Sequence, residues 1–229
     1  MPTIEFRGAT VAYDGRTVLA PLNLTLTERR IGIIGSNGSG KSTTVRLING
    51  LIEPTEGEVL VDGLSPTTDG KTVRKRVGFV FSDAESQIVM PRVADDVAFS
   101  LRRFKLPRAE VRACVDAVLE RFGLGEKAEN SPHTLSGGEK QLLALASVLV
   151  IEPETVIADE PTTLLDLRNR RRIIQELGAL DQQVIVVTHD LDMLAGFDRV
   201  ICIDDGELVY DGAPQDAIAY YTDLMDSKP

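Results

Sequence analysis

Gly35-Ser36-Asn37-Gly38-Ser39-Gly40-Lys41-Ser42-Thr43 decides how this chain is read. The stretch fits G-x-x-x-x-G-K-[S/T], with Gly35, Gly40, Lys41 and Ser42 at the fixed places, and it follows the apolar run Ile31–Ile34. It predicts a strand that turns through a glycine loop into a helix. Glycines let successive backbone amides converge on phosphate oxygens without side-chain clash. The helix opening at Lys41 adds its unpaired amides and the positive end of its dipole. In that setting Lys41 is a point charge for the terminal phosphates, and the Ser42 hydroxyl is a ligand for Mg²⁺. The bland alternative, a glycine-rich turn matching by chance, leaves the strand before it and the helix after it unexplained.

Outward from the loop, strands and helices alternate. Thr3–Ala12 and Val18–Leu26 read as an antiparallel start joined by the turn Tyr13-Asp14-Gly15-Arg16. The helix from Lys41 stops near Asn49-Gly50, and Glu58–Val61 and Val77–Phe81 are short strands. Lys71, Arg74, Lys75 and Arg76 read as a solvated face. From Ser82 to about Ser136 no strand periodicity remains, and Val111, Val115, Val118, Leu119 and Phe122 fall on one helical face. With the largely apolar helix Gly138–Val150 this block is a helical lobe inserted at about residues 82–150. Thr155–Ala158, Val184–Val187 and Val200–Ile203 are buried strands, separated by the helix Leu167–Leu177. A hairpin at Asp205-Gly206 leads to Leu208–Tyr210, and a final helix covers Pro214–Leu224. The expectation is an α/β fold of one domain over residues 1–229, with a mostly parallel, doubly wound core sheet whose ligands sit at the carboxyl ends of the strands.

Bulk composition narrows the function classes. With 25 Lys and Arg against 35 Asp and Glu, the 229-residue chain carries a net charge of −10, an overall balance unsuited to nucleic acid or anionic lipid as principal partner. Cys114 and Cys202 lie far apart in apolar segments and read as small core residues of a reducing compartment. Met1–Thr10 lacks the apolar core of a signal sequence, and the longest apolar run, Leu142–Ile151, is too short to cross a bilayer. Membrane association is therefore expected to come through a partner.

Candidate chemistry lies at strand ends. Asp159 ends a buried strand downstream of the phosphate loop, where a carboxylate can hold the Mg²⁺ that Ser42 touches. Glu160 follows, and strand alternation turns it toward the space beyond the terminal phosphate, where it can accept a proton from an attacking water. His189 lies at the carboxyl end of Val184–Val187, within reach of a γ-phosphate oxygen. Tyr13 has two readings: a strand-end aromatic covering core, which spacing favours, or a ring that stacks on adenine. Leu135-Ser136-Gly137-Gly138-Glu139-Lys140-Gln141 is a second anion cradle at a helix start, with the Ser136 hydroxyl as donor. One phosphate loop with two phosphate-binding helix ends invites completion across a two-fold axis.

Taken together, the phosphate loop, L-S-G-G-E-K-Q, A-D-E-P at 158–161, Leu165-Asp166 and His189 resemble the ATP-binding cassette ATPases in order and spacing, over essentially the whole chain. The resemblance implies a P-loop NTPase fold with an N-terminal antiparallel β subdomain and an inserted helical subdomain. It also implies a head-to-tail dimer with two ATP and Mg²⁺ at the interface, where the loop of one copy faces Ser136, Gly137 and Gly138 of the other. In that reading Glu160 is the catalytic base, Asp166 links the two sites, Tyr13 stacks on adenine and His189 senses the γ-phosphate.

One position departs from the family. Gln usually follows the strand at Val77–Phe81 and reaches the Mg²⁺; here Ser82 stands there, so Ser82 acting through a water and Gln87 are the two candidates for that role. Within the family, Ser82–Phe99, with Gln87-Ile88 and V-A-D-D-V-A-F, is similar to the ATPases of energy-coupling factor importers. These pair two cassettes with an integral membrane coupling protein and a substrate-binding membrane protein, on the cytoplasmic face. The L-L-D-L-R-N run at Leu164–Asn169 and the short C-terminus resemble the biotin branch, with the cobalt ATPase next. Three rival expectations remain. A soluble cassette protein acting on nucleic acid or ribosomes is disfavoured by charge. A small P-loop kinase leaves Leu135–Gln141 without purpose. A binding module without turnover is kept open by Ser82.

Overall fold

The strand before the glycine loop is the centre of the sheet. In the computed structural model, which describes residues 1–163 and 165–228, this strand is β3 (Arg30–Ile34), buried at every position. Leu164, the first residue of the L-L-D-L-R-N run, and Pro229 lie outside the described residues. Chain order before it gives β1 (Ile4–Tyr13) and β2 (Arg16–Leu26); after it come α1 (Lys41–Asn49), β4 (Glu56–Val61), α2 (Gly70–Arg76) and β5 (Val77–Val80). The helical lobe holds α3 (Ala84–Gln87), α4 (Val93–Leu101), α5 (Arg108–Arg121) and α6 (Gly137–Leu149). The chain ends with β6 (Thr155–Asp159), α7 (Leu167–Gly178), β7 (Gln183–Val187), β8 (Arg199–Asp204), β9 (Glu207–Gly212) and α8 (Pro214–Ser227).

Six strands form the main sheet in the order β5-β6-β7-β3-β8-β9, parallel except for the β8–β9 hairpin. A separate antiparallel sheet runs β2-β1-β4. The parallel strands are short β-branched runs covered on both faces, as such sheets require. Their alternation divides the core. Ile31, Ile33, Ile157, Ile185, Val187 and Ile201 face the N-terminal sheet and α1, while Val156, Ala158, Val184 and Val186 face the helical lobe with Phe122, Leu142 and Leu145. Burying each large aliphatic side chain is worth about 1.5–3 kcal/mol, so the division anchors both layers to one sheet. Close packing needs glycine at Gly78, where a Cβ would lie 2.4 Å from Val148 of α6.

Two hydrogen bonds of one turn fix the loop's surroundings. The β8–β9 turn sends Gly206 against the loop: Gly206 N donates to Ser39 O at 3.0 Å, and Ala20 N of β2 donates to Gly206 O at 2.8 Å. A Cβ on Gly206 would stand 2.7 Å from Val18 O, and its φ of +81 also demands glycine.

The expected elements are present with small boundary shifts, except that α2 reads in sequence only as a basic stretch. Its helix is seven residues long and buries Val73 with Gly70, too short for a periodic signal. Cys202 is fully buried as expected, whereas Cys114 is only half-buried at the edge of the helical lobe. Among the described residues no helix is long and apolar enough to cross a membrane.

Candidate functional site

At the loop, Gly35 is pressed against β8. A Cβ there would lie 1.9 Å from Ile203 O, and φ is +151, so no other residue fits. Gly38 (φ +79) faces open space and Gly40 (φ +101) caps α1. Among the described residues, the amides of Asn37, Gly38, Gly40, Lys41, Ser42 and Thr43 donate to no acceptor. That ring of free N–H groups at a helix start is an anion cradle. The buried Ser39 hydroxyl is also unpartnered. Lys41 Nζ closes the cradle itself, donating to Gly35 O at 2.9 Å and Ser36 O at 2.7 Å. Burial pulls its ammonium below the ordinary value, opposed by the nearby carboxylates Glu160 and Asp159. A polyphosphate would supply the charge this ammonium now lacks.

Neighbouring strand ends deliver the acids. Thr188 N donates to Ile33 O at 3.1 Å, and Glu160 N to Val187 O at 2.9 Å, which brings the ends of β6, β7 and β3 side by side. Asp159, fully buried, accepts from Ser42 Oγ at 2.8 Å. Its other oxygen lies 3.4 Å from Arg46 Nη2 of α1, a contact with no motif to announce it. Glu160 does not continue the strand alternation; it turns in the left-handed region at φ +53. A non-glycine there costs about 1–3 kcal/mol and persists where function fixes the side chain. Its Oε2 lies 2.7 Å from His189 Nδ1 and 3.4 Å from Thr163 Oγ1. Glu160 and His189 thus engage each other, so both must separate to face a phosphate. Thr163, three residues after Glu160 in the same turn, is a site residue the sequence did not single out.

Ser42 and Asp159 suit Mg²⁺: both are hard oxygen donors already in contact. No larger cluster of acids, histidines and cysteines exists among the described residues, which fits an ion completed by phosphate oxygens and water. Ser82 borders a cavity of about 280 Å³ with Gly137, Gln141 and Thr163. Gln87 is otherwise occupied. Its Oε1 accepts from Phe81 N at 3.0 Å and its Nε2 donates to Phe79 O at 3.4 Å, so it holds the end of β5 and would have to leave both bonds to reach a metal.

The second cradle is equally built. Ser136 caps α6 through a capping box: its hydroxyl accepts from Glu139 N at 3.3 Å, and its own N donates to Glu139 Oε2 at 3.0 Å. Lys127 binds the other Glu139 oxygen. Gly137 faces open space, while a Cβ on Gly138 would strike the Asn169 side chain at 2.2 Å. Asn169 is itself held by Asp166, which caps α7, at 2.8 Å to its N and 2.9 Å to its Nδ2. Asp166 therefore touches the second cradle through Asn169. Tyr13 ends β1 with 53% of its surface exposed.

A phosphate loop on the central strand, an Asp-Glu pair at the next strand but one and a histidine between them define a nucleoside triphosphatase of the P-loop class. The chain belongs to the ABC transporter family, whose model matches residues 19–163, and it is a transport-coupled ATPase. It is 55% identical over 222 residues to a putative ABC transporter ATP-binding protein of Deinococcus radiodurans, covering 97% of this chain and 98% of that one. It is 48% identical to the biotin transport ATP-binding protein BioM of Rhizobium etli, over 96% and 98% of the two chains. Among solved structures, CbiO1 of Clostridium perfringens, part of the transporter complex CbiONQ, superposes with a TM-score of 0.83 at 31% identity, covering 97% of this chain and 93% of that one.

Proposed function

We propose that the chain is the ATP-hydrolysing subunit of an energy-coupling factor importer that takes up biotin, working as a head-to-tail homodimer on the cytoplasmic face of the membrane. It docks there on an integral coupling protein and a substrate-binding membrane protein. The observation that carries the reading is the pair of built but separate anion cradles, Gly35–Thr43 and Ser136–Gly138, with Gly137 open to solvent. A second copy completes each site with its own Ser136 and Gly137. The similarity to BioM over nearly the full length supports biotin; CbiO1 keeps a metal-ion importer as the second reading.

In the completed site Tyr13 stacks on adenine, the loop amides and Lys41 hold the β- and γ-phosphates, and Ser42 with Asp159 are the residues that hold Mg²⁺. When bound, that ion neutralises phosphate charge. Glu160, released from His189, orients water and accepts its proton as the water oxygen bonds to the γ-phosphorus and the bridging oxygen leaves with ADP. His189 then donates to a γ-phosphate oxygen, Ser82 supports the water from the lobe side, and Asp166 ties the opposite cradle to this one.

The test is Glu160→Gln in the complex purified with its membrane proteins. ATP turnover should fall by about 10²–10⁴-fold with nucleotide binding retained, the protein should become dimeric with ATP, and labelled biotin uptake should stop. Unchanged turnover would overturn the base assignment; a strictly single-copy protein under those conditions would overturn the shared site.

A further inference from the structure

The overall charge of −10 conceals a basic corner. In sequence, Lys71, Arg74 and Lys75 are separated from Arg102, Arg103 and Lys105 by a strand and two helices. The fold brings the two groups together. Arg103 Nη1 donates to Arg74 O at 2.9 Å. The Phe104 ring lies near both groups, its centroid 5.6 Å from Lys75 Nζ and 5.7 Å from the Arg103 guanidinium. Arg102 lies 5.4 Å from the centroid of Phe99, which is 43% exposed. Among the described residues none of these six cations is within ion-pair distance of a carboxylate, although acids outnumber bases in the chain. Crowding has an electrostatic consequence: burial and the adjacent Arg74 pull the Arg103 guanidinium below its usual value. Phe99, Ser100, Arg102 and Arg103 line an open groove of about 430 Å³.

Unneutralised cations around an exposed aromatic ring are what an anionic interface recognises. Cations take the headgroup phosphates, and the ring, with the apolar stems of the arginines, takes the interfacial zone. From the juxtaposition of α2 with the turn Arg102–Phe104, we propose that this corner binds the anionic phospholipid surface directly. It gives the subunit a membrane contact of its own beside its protein partners. This rests on the proposed placement at the membrane, and it is compatible with the acidic net charge: what a lipid surface meets is the local potential, which fades beyond about 10 Å at 0.1 M salt.

The test is co-sedimentation of the full-length protein with vesicles of pure phosphatidylcholine or of phosphatidylcholine with a third phosphatidylglycerol. Expected is binding to the anionic vesicles only, weakened by 0.5 M NaCl. Each engaged basic side chain contributes about fivefold to partitioning, so Lys75→Ser with Arg102→Ser should lower it by about thirtyfold while basal ATPase activity and circular dichroism stay as in the parent. A Phe99→Ser variant should also bind more weakly. Equal binding to both vesicle types, no binding to either, or undiminished binding of the double variant would each overturn the proposal. So would capture of a poly-glutamate peptide without capture of anionic vesicles, which would make the corner a protein-docking site. The vesicles hold no protein, so failure here counts against the lipid contact alone; failure to co-purify with membrane proteins counts against the proposed function.

Discussion

Gly138→Ala probes the second cradle without touching the phosphate loop. The new Cβ would lie 2.2 Å from Asn169 Cγ and 2.4 Å from its Nδ2. Ordinary contact needs about 3.4 Å or more, so the amide must retreat by about 1 Å, which breaks its 2.9 Å bond to Asp166 Oδ2. A hydrogen bond to a carboxylate is worth about 1.5–3 kcal/mol, and its half-exposed setting puts this one at the low end. Alanine in the first turn of α6 returns about 0.5 kcal/mol of backbone entropy. The net loss is about 1 kcal/mol, a drop of about 2–4 °C in Tm for a chain of this size. Removing the obstacle reverses the sign: in an Asn169→Ala background the same change should raise Tm by about 1–2 °C, leaving a coupling of about 1.5 kcal/mol between the two positions. Differential scanning calorimetry of the four proteins without nucleotide measures it. ATP binding by the isolated chain should be unaffected, while ATP-dependent dimerisation of the Glu160→Gln protein should weaken. An equal fall in Tm in both backgrounds would refute the steric account, and full ATP-dependent dimerisation would refute the role given to the cradle.

Asp159→Asn should weaken Mg²⁺ retention by tenfold or more while leaving metal-free ATP binding nearly intact, because the free amides and Lys41 hold the phosphates independently; titration with Mn²⁺ followed by electron paramagnetic resonance checks this. The Glu139 carboxyl is held below its ordinary value of 4.5, first by its hydrogen bond with Lys127 and then by Ser136 N. A depressed carboxyl stabilises the fold fully above about pH 4.5 and loses that contribution as pH falls through the lowered value. Glu139→Gln should therefore flatten the acid limb of a stability–pH profile below pH 4.5 and lower the plateau above it. Burial, with Asp204 adding, pushes the Cys202 thiol up to about 11. At pH 8 iodoacetamide should label the half-buried Cys114 in the native protein and Cys202 only after unfolding, as peptide mass spectrometry will report.

Much of this arrangement was legible in advance, for physical reasons that differ from place to place. The phosphate loop is self-announcing because converging amides tolerate only glycine at fixed positions, and the 1.9 Å clash at Gly35 is that constraint made visible. The Ser136–Glu139 capping box follows from a local code of four residues. Sequence reasoning failed where tertiary contact decides. Strand alternation predicts one direction for Glu160, yet the residue leaves the strand in a left-handed turn, its N bonded to Val187 O. Gln87, one of two candidates for the missing glutamine's role, has its amide engaged with Phe79 and Phe81, which spacing cannot show. Arg46, beside Asp159, carries no motif because its partner comes from a distant element, and the L-L-D-L-R-N run that contains Asn169 does not disclose that its amide lies beneath Gly138. Net charge is likewise an average, and it does not show that Arg74 and Arg103 end up touching.

The turn at Asp205-Gly206 looks dispensable as sequence: a two-residue hairpin whose aspartate faces solvent, though its glycine is buried. Its glycine carbonyl and amide nonetheless join Ala20 to Ser39, making the turn a strut between the antiparallel sheet and the nucleotide loop. An epitope tag or chain opening spliced into it would cut the brace between the end of the molecule that carries Tyr13 and the end that carries Lys41. Engineered insertions that must spare nucleotide recognition belong on another loop.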